Sequence, residues 1–174
     1  MINYSVYESP IGDILLCSRN DKLIGAWFKG QKYYLAKVND ELIRKEDEIL
    51  INAEKWLNHY FDGKKPPITE LDLAPEGTEF RQQVWKILCE VPYGKTITYN
   101  DIAKRIAFER GIEKMSAQAI GGVVSHNPIS IIIPCHRVIG SNGSLTGYAG
   151  GIDRKLFLLK LENPLFQQKV ISSS

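Results

Sequence analysis

Ile131-Ile132-Ile133-Pro134-Cys135-His136-Arg137-Val138-Ile139 is the stretch around which the chain is organised. Its β-branched run predicts a short buried strand over residues 130–133, because such side chains suit a pleated, packed surface. Pro134 has no N–H to give a sheet ladder and biases Ile133 toward extended backbone. The strand is therefore expected to stop there and present Cys135 at its end, with His136 beside it. Most cysteines are small buried hydrophobes without chemistry. Neighbouring side chains on a strand also face opposite sides, so adjacency alone makes no dyad. The setting distinguishes this cysteine: a polar Cys-His-Arg triplet interrupts two apolar runs, and the turn residues Gly140-Ser141-Asn142-Gly143-Ser144 follow. Such local breaks in a consistent pattern mark function, and a reactive thiol at Cys135 is the first expectation.

The 174 residues suit one domain or two small ones, and 44% hydrophobic with 24% charged residues is ordinary for a globular protein. No apolar run approaches the roughly 20 residues that span a bilayer. Met1-Ile2-Asn3-Tyr4 lacks the basic segment and apolar core of a signal peptide. A cytoplasmic protein with no membrane association is expected. Cys17, Cys89 and Cys135 form no CxxC, and His59, His126 and His136 form no HxH or HExxH, so neither a zinc site nor any other metal is expected. An odd cysteine count without an export signal fits free thiols in a reducing compartment. The net charge of +2 is too small to argue for nucleic acid, but residues 1–75 carry ten Lys/Arg against twelve Asp/Glu and residues 76–174 carry twelve against eight. The half that holds Cys135 is basic, as a polyanionic partner would require, although ordinary scatter explains the charge equally well.

The first half reads as a β-meander and a helix. Strands are expected at residues 2–8, 14–17 and 23–28, with turns at Ser9-Pro10-Ile11-Gly12 and Asn20-Asp21. A helix over about 47–61 carries Ile49, Leu50, Ala53, Trp56, Leu57, Tyr60 and Phe61 on one face and ends at Asp62-Gly63. The prolines and glycines of 62–78 read as a linker. In the second half Thr78 caps a helix over about 79–90, residues 96–99 are extended, and Asn100 or Asp101 starts a helix to about Phe108. Gly111 breaks that helix. Ser116 caps another over 117–125, and Asn127-Pro128 stops it. Two short helices joined by a turn suggest a helix-turn-helix, and the Ser141-to-Gly147 loop lies where a wing would. The second of these helices contains Gly121 and Gly122. They fit either close packing on another helix or close approach to a DNA groove, and composition alone favours packing. A last helix runs over about 153–161, Glu162 ends it, and residues 165–174 read as weakly ordered. The expected fold is thus an α/β N-terminal domain (antiparallel strands plus helix, 1–75) followed by a mainly α, winged-helix or helix-turn-helix-like domain (76–174).

Ile133-Pro134-Cys135-His136-Arg137-Val138 resembles the active-site signature of the methylated-DNA–protein-cysteine methyltransferases, the O6-alkylguanine-DNA alkyltransferases. Gly77-Thr78-Glu79-Phe80, Val84-Trp85, Val91-Pro92-Tyr93-Gly94-Lys95-Thr96, Ala119-Ile120-Gly121-Gly122, Asn127-Pro128 and Tyr148-Ala149-Gly150-Gly151 follow in the order and spacing of that family. The resemblance implies a DNA-repair protein that moves the alkyl group of O6-alkylguanine in double-stranded DNA onto Cys135, once and irreversibly, with the base flipped out of the duplex. It implies that His136 takes the thiol proton through a water and that Glu162 holds and polarises His136. Asn127 would be a hinge, and Tyr99 would rotate the 3′ phosphate and help protonate the leaving guanine. Tyr148 and the backbone near Cys135, Leu145 and Ala149 would line the base pocket. Gln118, Ala119, Gly121 and Arg137 would complete the DNA- and substrate-contacting set. No cofactor is implied, and a monomer is expected. Two positions depart from the family pattern. Gln118 stands where an arginine often fills the gap left by the flipped base, which removes a charge. Ala149 stands where some relatives carry a serine, which leaves that contact to backbone amides. The alternatives are a non-catalytic lesion-binding or regulatory protein, which would leave Cys135 unmodified, and a thiol hydrolase, which would turn over.

Overall fold

A computed structural model describes residues 1–35 and 38–167. Contacts divide the chain into two compact units. The first is Met1–Gly77 together with Pro128–Ile133, and the second is Thr78–Asn127 with the chain from Pro134 onward. The expected division after residue 75 did not anticipate that a segment of the second half belongs to the first unit. The part of the expected weak tail beyond residue 167 lies outside the described residues. No helix among the described residues is long and apolar enough to cross a membrane.

The first unit is a four-stranded sheet of order β3-β2-β1-β4, made of β1 (Ile2–Ser9), β2 (Gly12–Arg19), β3 (Lys22–Phe28) and β4 (Leu42–Arg44). The hairpins follow from their turns. Asn20 and Asp21 both take positive φ, 52° and 62°, between the paired Arg19 and Lys22, as a tight two-residue hairpin loop needs. β4 pairs parallel to β1, an addition to the antiparallel strands expected from sequence. The helix α1 (Glu48–Phe61) buries Leu50, Ala53, Trp56, Leu57 and Tyr60. Its N-cap, Asp47, accepts from Leu50 N at 3.0 Å and from Asn3 Nδ2 at 2.9 Å, and also from the Ser18 hydroxyl. One carboxylate thereby ties the helix start to two strands.

Two expectations for this unit are corrected. The stretch 62–78 is not a free linker. Leu23 N donates to Asp72 O and Ala74 N to Leu23 O, both at 2.8 Å, so the chain adds a parallel bridge along β3. Prolines are compatible with such an edge because the donors there come from other residues. Residues 130–133 are not a strand either. Ile129 bridges Ala26, and then the backbone folds on itself, with Ile132 N donating to Ser130 O at 2.8 Å and Ile133 N to Ile129 O at 3.1 Å. Ile131, fully buried, takes φ 69° at the centre of the tighter turn, a strained conformation for a β-branched residue. An apolar run reports burial, and burial does not require extended backbone.

The second unit carries α2 (Glu79–Cys89), β5 (Ile97–Thr98), α3 (Tyr99–Arg110), α4 (Ala117–Ser125), β6 (Val138–Ile139) and α5 (Ile152–Glu162), with β5 and β6 pairing in parallel. Thr78 caps α2 and Ser116 caps α4. The start of α3 is corrected from Asn100 or Asp101 to Thr98. Asp101 N donates to Thr98 Oγ1 at 3.0 Å and Thr98 N to Asp101 Oδ2 at 3.3 Å, a reciprocal capping box that satisfies two donors at once. Gly111, at φ 63°, closes α3, and α3 packs on α4 in the helix-turn-helix order.

Candidate active site

Pro134 leads into a single 3-10 turn, Cys135–Arg137, closed by a bond from Arg137 N to Pro134 O at 3.0 Å. This replaces the expected strand end. Three residues per turn send successive side chains in three directions, so Cys135, His136 and Arg137 each meet a different neighbour. All three are buried, with His136 wholly inaccessible.

His136 meets Glu162, the last residue of α5, with Nε2 and Oε2 2.5 Å apart. A carboxylate can only accept, so the imidazole proton sits on Nε2 and the lone pair on Nδ1. Burial lowers the His136 pKa and outweighs the neighbouring carboxylate, which keeps the ring neutral. Burial also pushes the Glu162 carboxyl up. The hydrogen bonds from His136 and Arg137, with the Arg137 charge, outweigh it and hold Glu162 well below the usual range.

Burial raises the Cys135 thiol, and two neighbours oppose that rise, a hydrogen bond from the Asn127 side chain and the charge of Lys155. The other two cysteines are simply buried thiols by comparison. Cys17 is pushed up to about 12 and Cys89 to about 11, burial being the main cause. Asn127, itself buried just past the His126 C-cap of α4, therefore touches the thiol as well as occupying the position expected for a hinge.

Lys155 is the functional residue that the sequence reading missed. It is fully buried on α5, and its Nζ donates to Thr146 O at 2.8 Å. The hydroxyl of Tyr99 donates to the same carbonyl at 2.9 Å, and Lys155 Nζ lies 5.8 Å from the Tyr99 ring centre. Burial draws the ammonium down to about 8, with the Cys135 charge acting against that fall. The available signal was a lysine in register with the buried Leu158, Leu159 and Glu162. Replacing Lys155 with Met should raise the thiol pKa of Cys135 and slow its alkylation by iodoacetamide at neutral pH. The rate–pH curve of that reaction, compared with wild type, measures the shift.

Of the other expected residues, Tyr148 and Leu145 are buried and Ala149 half-buried in the loop before α5, while Gln118 and Ala119 are exposed on the first turn of α4. Arg137 differs from expectation. Its guanidinium is buried and turns inward onto Glu162 and Val91, which leaves little of it exposed for an outside partner. Among the described residues no group of three or more His, Cys, Asp or Glu side chains is placed to hold a metal ion.

The family model described as 6-O-methylguanine DNA methyltransferase, DNA binding domain, matches residues 79–164, and that described as 6-O-methylguanine DNA methyltransferase, ribonuclease-like domain, matches residues 2–75. A methylated-DNA–protein-cysteine methyltransferase of Methanosarcina acetivorans is 47% identical over 160 residues, covering 91% of this chain and 97% of its own. One from Mycobacterium tuberculosis is 40% identical over 164 residues, covering 93% of each. The crystal structure of Mycobacterium tuberculosis OGT in complex with DNA superposes with a TM-score of 0.80 at 38% identity over 93% of each chain. With both family models and these relatives matching a chain that carries the cysteine turn, the His136–Glu162 pair and the helix-turn-helix, the chain belongs to the 6-O-methylguanine DNA methyltransferase family.

Proposed function

We infer that this protein repairs DNA by taking the alkyl group of O6-alkylguanine, methyl above all, onto Cys135 in a single irreversible event, one chain per lesion. The observation that carries the reading is a buried cysteine that meets the Asn127 amide and the Lys155 charge, next in the chain to an imidazole held by a carboxylate. A thiol at neutral pH is mostly protonated, and the thiolate is the nucleophile. His136 Nδ1 takes the proton, directly or through water, while Lys155 and the Asn127 amide support the charge left on Sγ. Sγ then bonds to the alkyl carbon, and the carbon–O6 bond breaks with its electron pair passing to the guanine. The guanine leaves after taking up a proton, for which the Tyr99 hydroxyl is the donor. The thioether has no route back to thiol, so the protein is consumed. A role in lesion binding alone has no use for this arrangement.

DNA contact is assigned to the exposed start of α4, with Gln118 as the residue that fills the stack when the base leaves. Among the described residues, a methyl added at Gly122 would find nothing within 4 Å beyond its own helix, and one added at Gly121 would meet the Tyr99 ring at 3.9 Å. Packing within the protein therefore does not require glycine at 122, and close approach of a phosphate backbone does. Gly122→Ala should stabilise the fold by about 1 kcal/mol through helix propensity while weakening binding to duplex DNA. A melting curve and a fluorescence-anisotropy titration with undamaged duplex test the two signs. The reading as a whole is tested by nucleoside analysis of an O6-methylguanine duplex after exposure to the protein. Guanine should replace O6-methylguanine in proportion to the protein added. Its persistence under excess protein contradicts the reading.

A further inference from the structure

Arg137 makes three hydrogen bonds from a buried position. Nε donates to Glu162 Oε1 at 2.8 Å, Nη2 to Glu162 Oε2 at 3.2 Å, and Nη1 to Val91 O at 2.7 Å. The first two form a bidentate fork on one carboxylate. Glu162 Oε1 also accepts from Gly94 N at 3.0 Å, and Oε2 also meets His136 Nε2. The turn that supplies Val91 and Gly94 is shaped around the pair. Gly94 has φ 80°, and a Cβ there would lie 3.2 Å from the Glu162 carbonyl oxygen. The Tyr93 ring, between them, lies 5.8 Å from the Arg137 guanidinium carbon.

From this geometry we propose that Arg137 is a positioning residue for alkyl transfer: by neutralising and orienting Glu162 it keeps His136 in the one state, neutral with its lone pair on Nδ1, that can accept the Cys135 proton. The proposal rests on the alkyl-transfer reading above. A buried carboxylate facing only an imidazole gains most by protonating it, because two buried opposite charges are better than one alone. The resulting imidazolium holds a proton on both nitrogens and cannot serve as base. Arg137 supplies the positive charge that Glu162 would otherwise draw from His136. Among the described residues, the charged and titratable groups around the ring come from three elements. The helix α5 contributes Glu162 and Lys155, and the 3-10 turn contributes Cys135 and Arg137. Cys89 of α2 feels Arg137, and Tyr93 after α2 feels Glu162 and Arg137. Burial, Arg137 and Lys155 all act to keep the ring neutral, and Glu162 acts the other way.

The test is the single-turnover transfer rate from an O6-methylguanine duplex as a function of pH, for wild type, Arg137→Lys and Arg137→Met. In Arg137→Met the acid limb should move up by about one pH unit, so that transfer on that limb falls up to about tenfold and recovers to the plateau as pH rises. Arg137→Lys keeps the charge without the fork and should lie between. A rate lowered by the same factor at every pH, with the limb unmoved, is what a merely structural arginine gives, and it overturns the proposal. The ring is also read directly by 15N NMR of wild type and Arg137→Lys, with the His136 signal assigned by its loss in His136→Gln. Wild type should show neutral His136 protonated on Nε2 at pH 7, and Arg137→Lys should show a raised titration midpoint. An imidazolium, or an Nδ1–H tautomer, in wild type at pH 7 overturns the proposal. The NMR measurement decides the point even if wild type transfers nothing, a result that would contradict the alkyl-transfer reading instead.

Discussion

Cys135→Ser should bind an O6-methylguanine duplex and transfer nothing from it. A hydroxyl is far less acidic than a thiol, so the neutral His136 imidazole that can draw a proton from Cys135 cannot generate an alkoxide. An alkyl carbon also needs the soft thiolate as its partner. The substitution is gentle on the fold: Cys135 is 4% exposed, serine is slightly smaller, and its hydroxyl can keep the bond with Asn127. A stability change of about 1 kcal/mol is expected. Cys17→Ser and Cys89→Ser remove thiols that burial already holds protonated, so both should transfer at the wild-type rate. Gel assays of methyl transfer and binding on the three variants separate nucleophile from scaffold. Transfer by Cys135→Ser would move the chemistry elsewhere.

The second large effect belongs to Glu162→Gln, which should damage both stability and rate. A carboxamide offers one acceptor oxygen and two N–H donors in place of two acceptors. It cannot receive the Arg137 fork together with His136 and Gly94. Leaving a buried guanidinium uncompensated costs about 3–5 kcal/mol, a fall in Tm of roughly 10 °C for a chain of this size. Transfer should slow by about 10²-fold or more, since His136 loses the group that fixes its tautomer. The same residues make the protein acid-labile. His136 and Glu162 both have folded-state pKa values below their unfolded ones. Each therefore contributes stability that is present above its unfolded value and lost as pH falls. For His136 the loss begins below about 6.5, and for Glu162 below about 4.3. Wild-type Tm should drop steadily between pH 7 and pH 2, and Glu162→Gln should lack the part of that drop below about pH 4.3. A calorimetric series over this range checks both signs.

Local features were legible in the chain wherever local physics decides them. The α1 stripe, the Asn20-Asp21 hairpin, the Ser116 cap and the Gly111 stop are each written in a few neighbouring residues, and each stands where pattern and turn chemistry put it. The failures were of another kind. β4 is three residues long and depends on a partner strand some 40 positions earlier. The isoleucine run announces burial with equal force whether it is extended or folded into a strained turn. Thr98, Asn100 and Asp101 are all cap-forming residue types, and only the reciprocal bond between Thr98 and Asp101 decides which of them starts α3. At the site, the setting of Cys135, a polar triplet between apolar runs, singled it out in the sequence. His136 and Glu162 meet across 26 positions, and nothing local joins them. That pairing came from the family resemblance. Lys155 and the inward turn of Arg137 were supplied by neither, because a charged side chain reads as solvent-facing until its partners are known.

The most direct test of the account is intact mass and a peptide map after mixing the protein with a duplex that carries one O6-methylguanine. The account predicts one methyl per chain, confined to Cys135, with no turnover beyond one equivalent. A chain that binds the lesion and stays unmodified, or one that carries the methyl on Cys17 or Cys89, would contradict it.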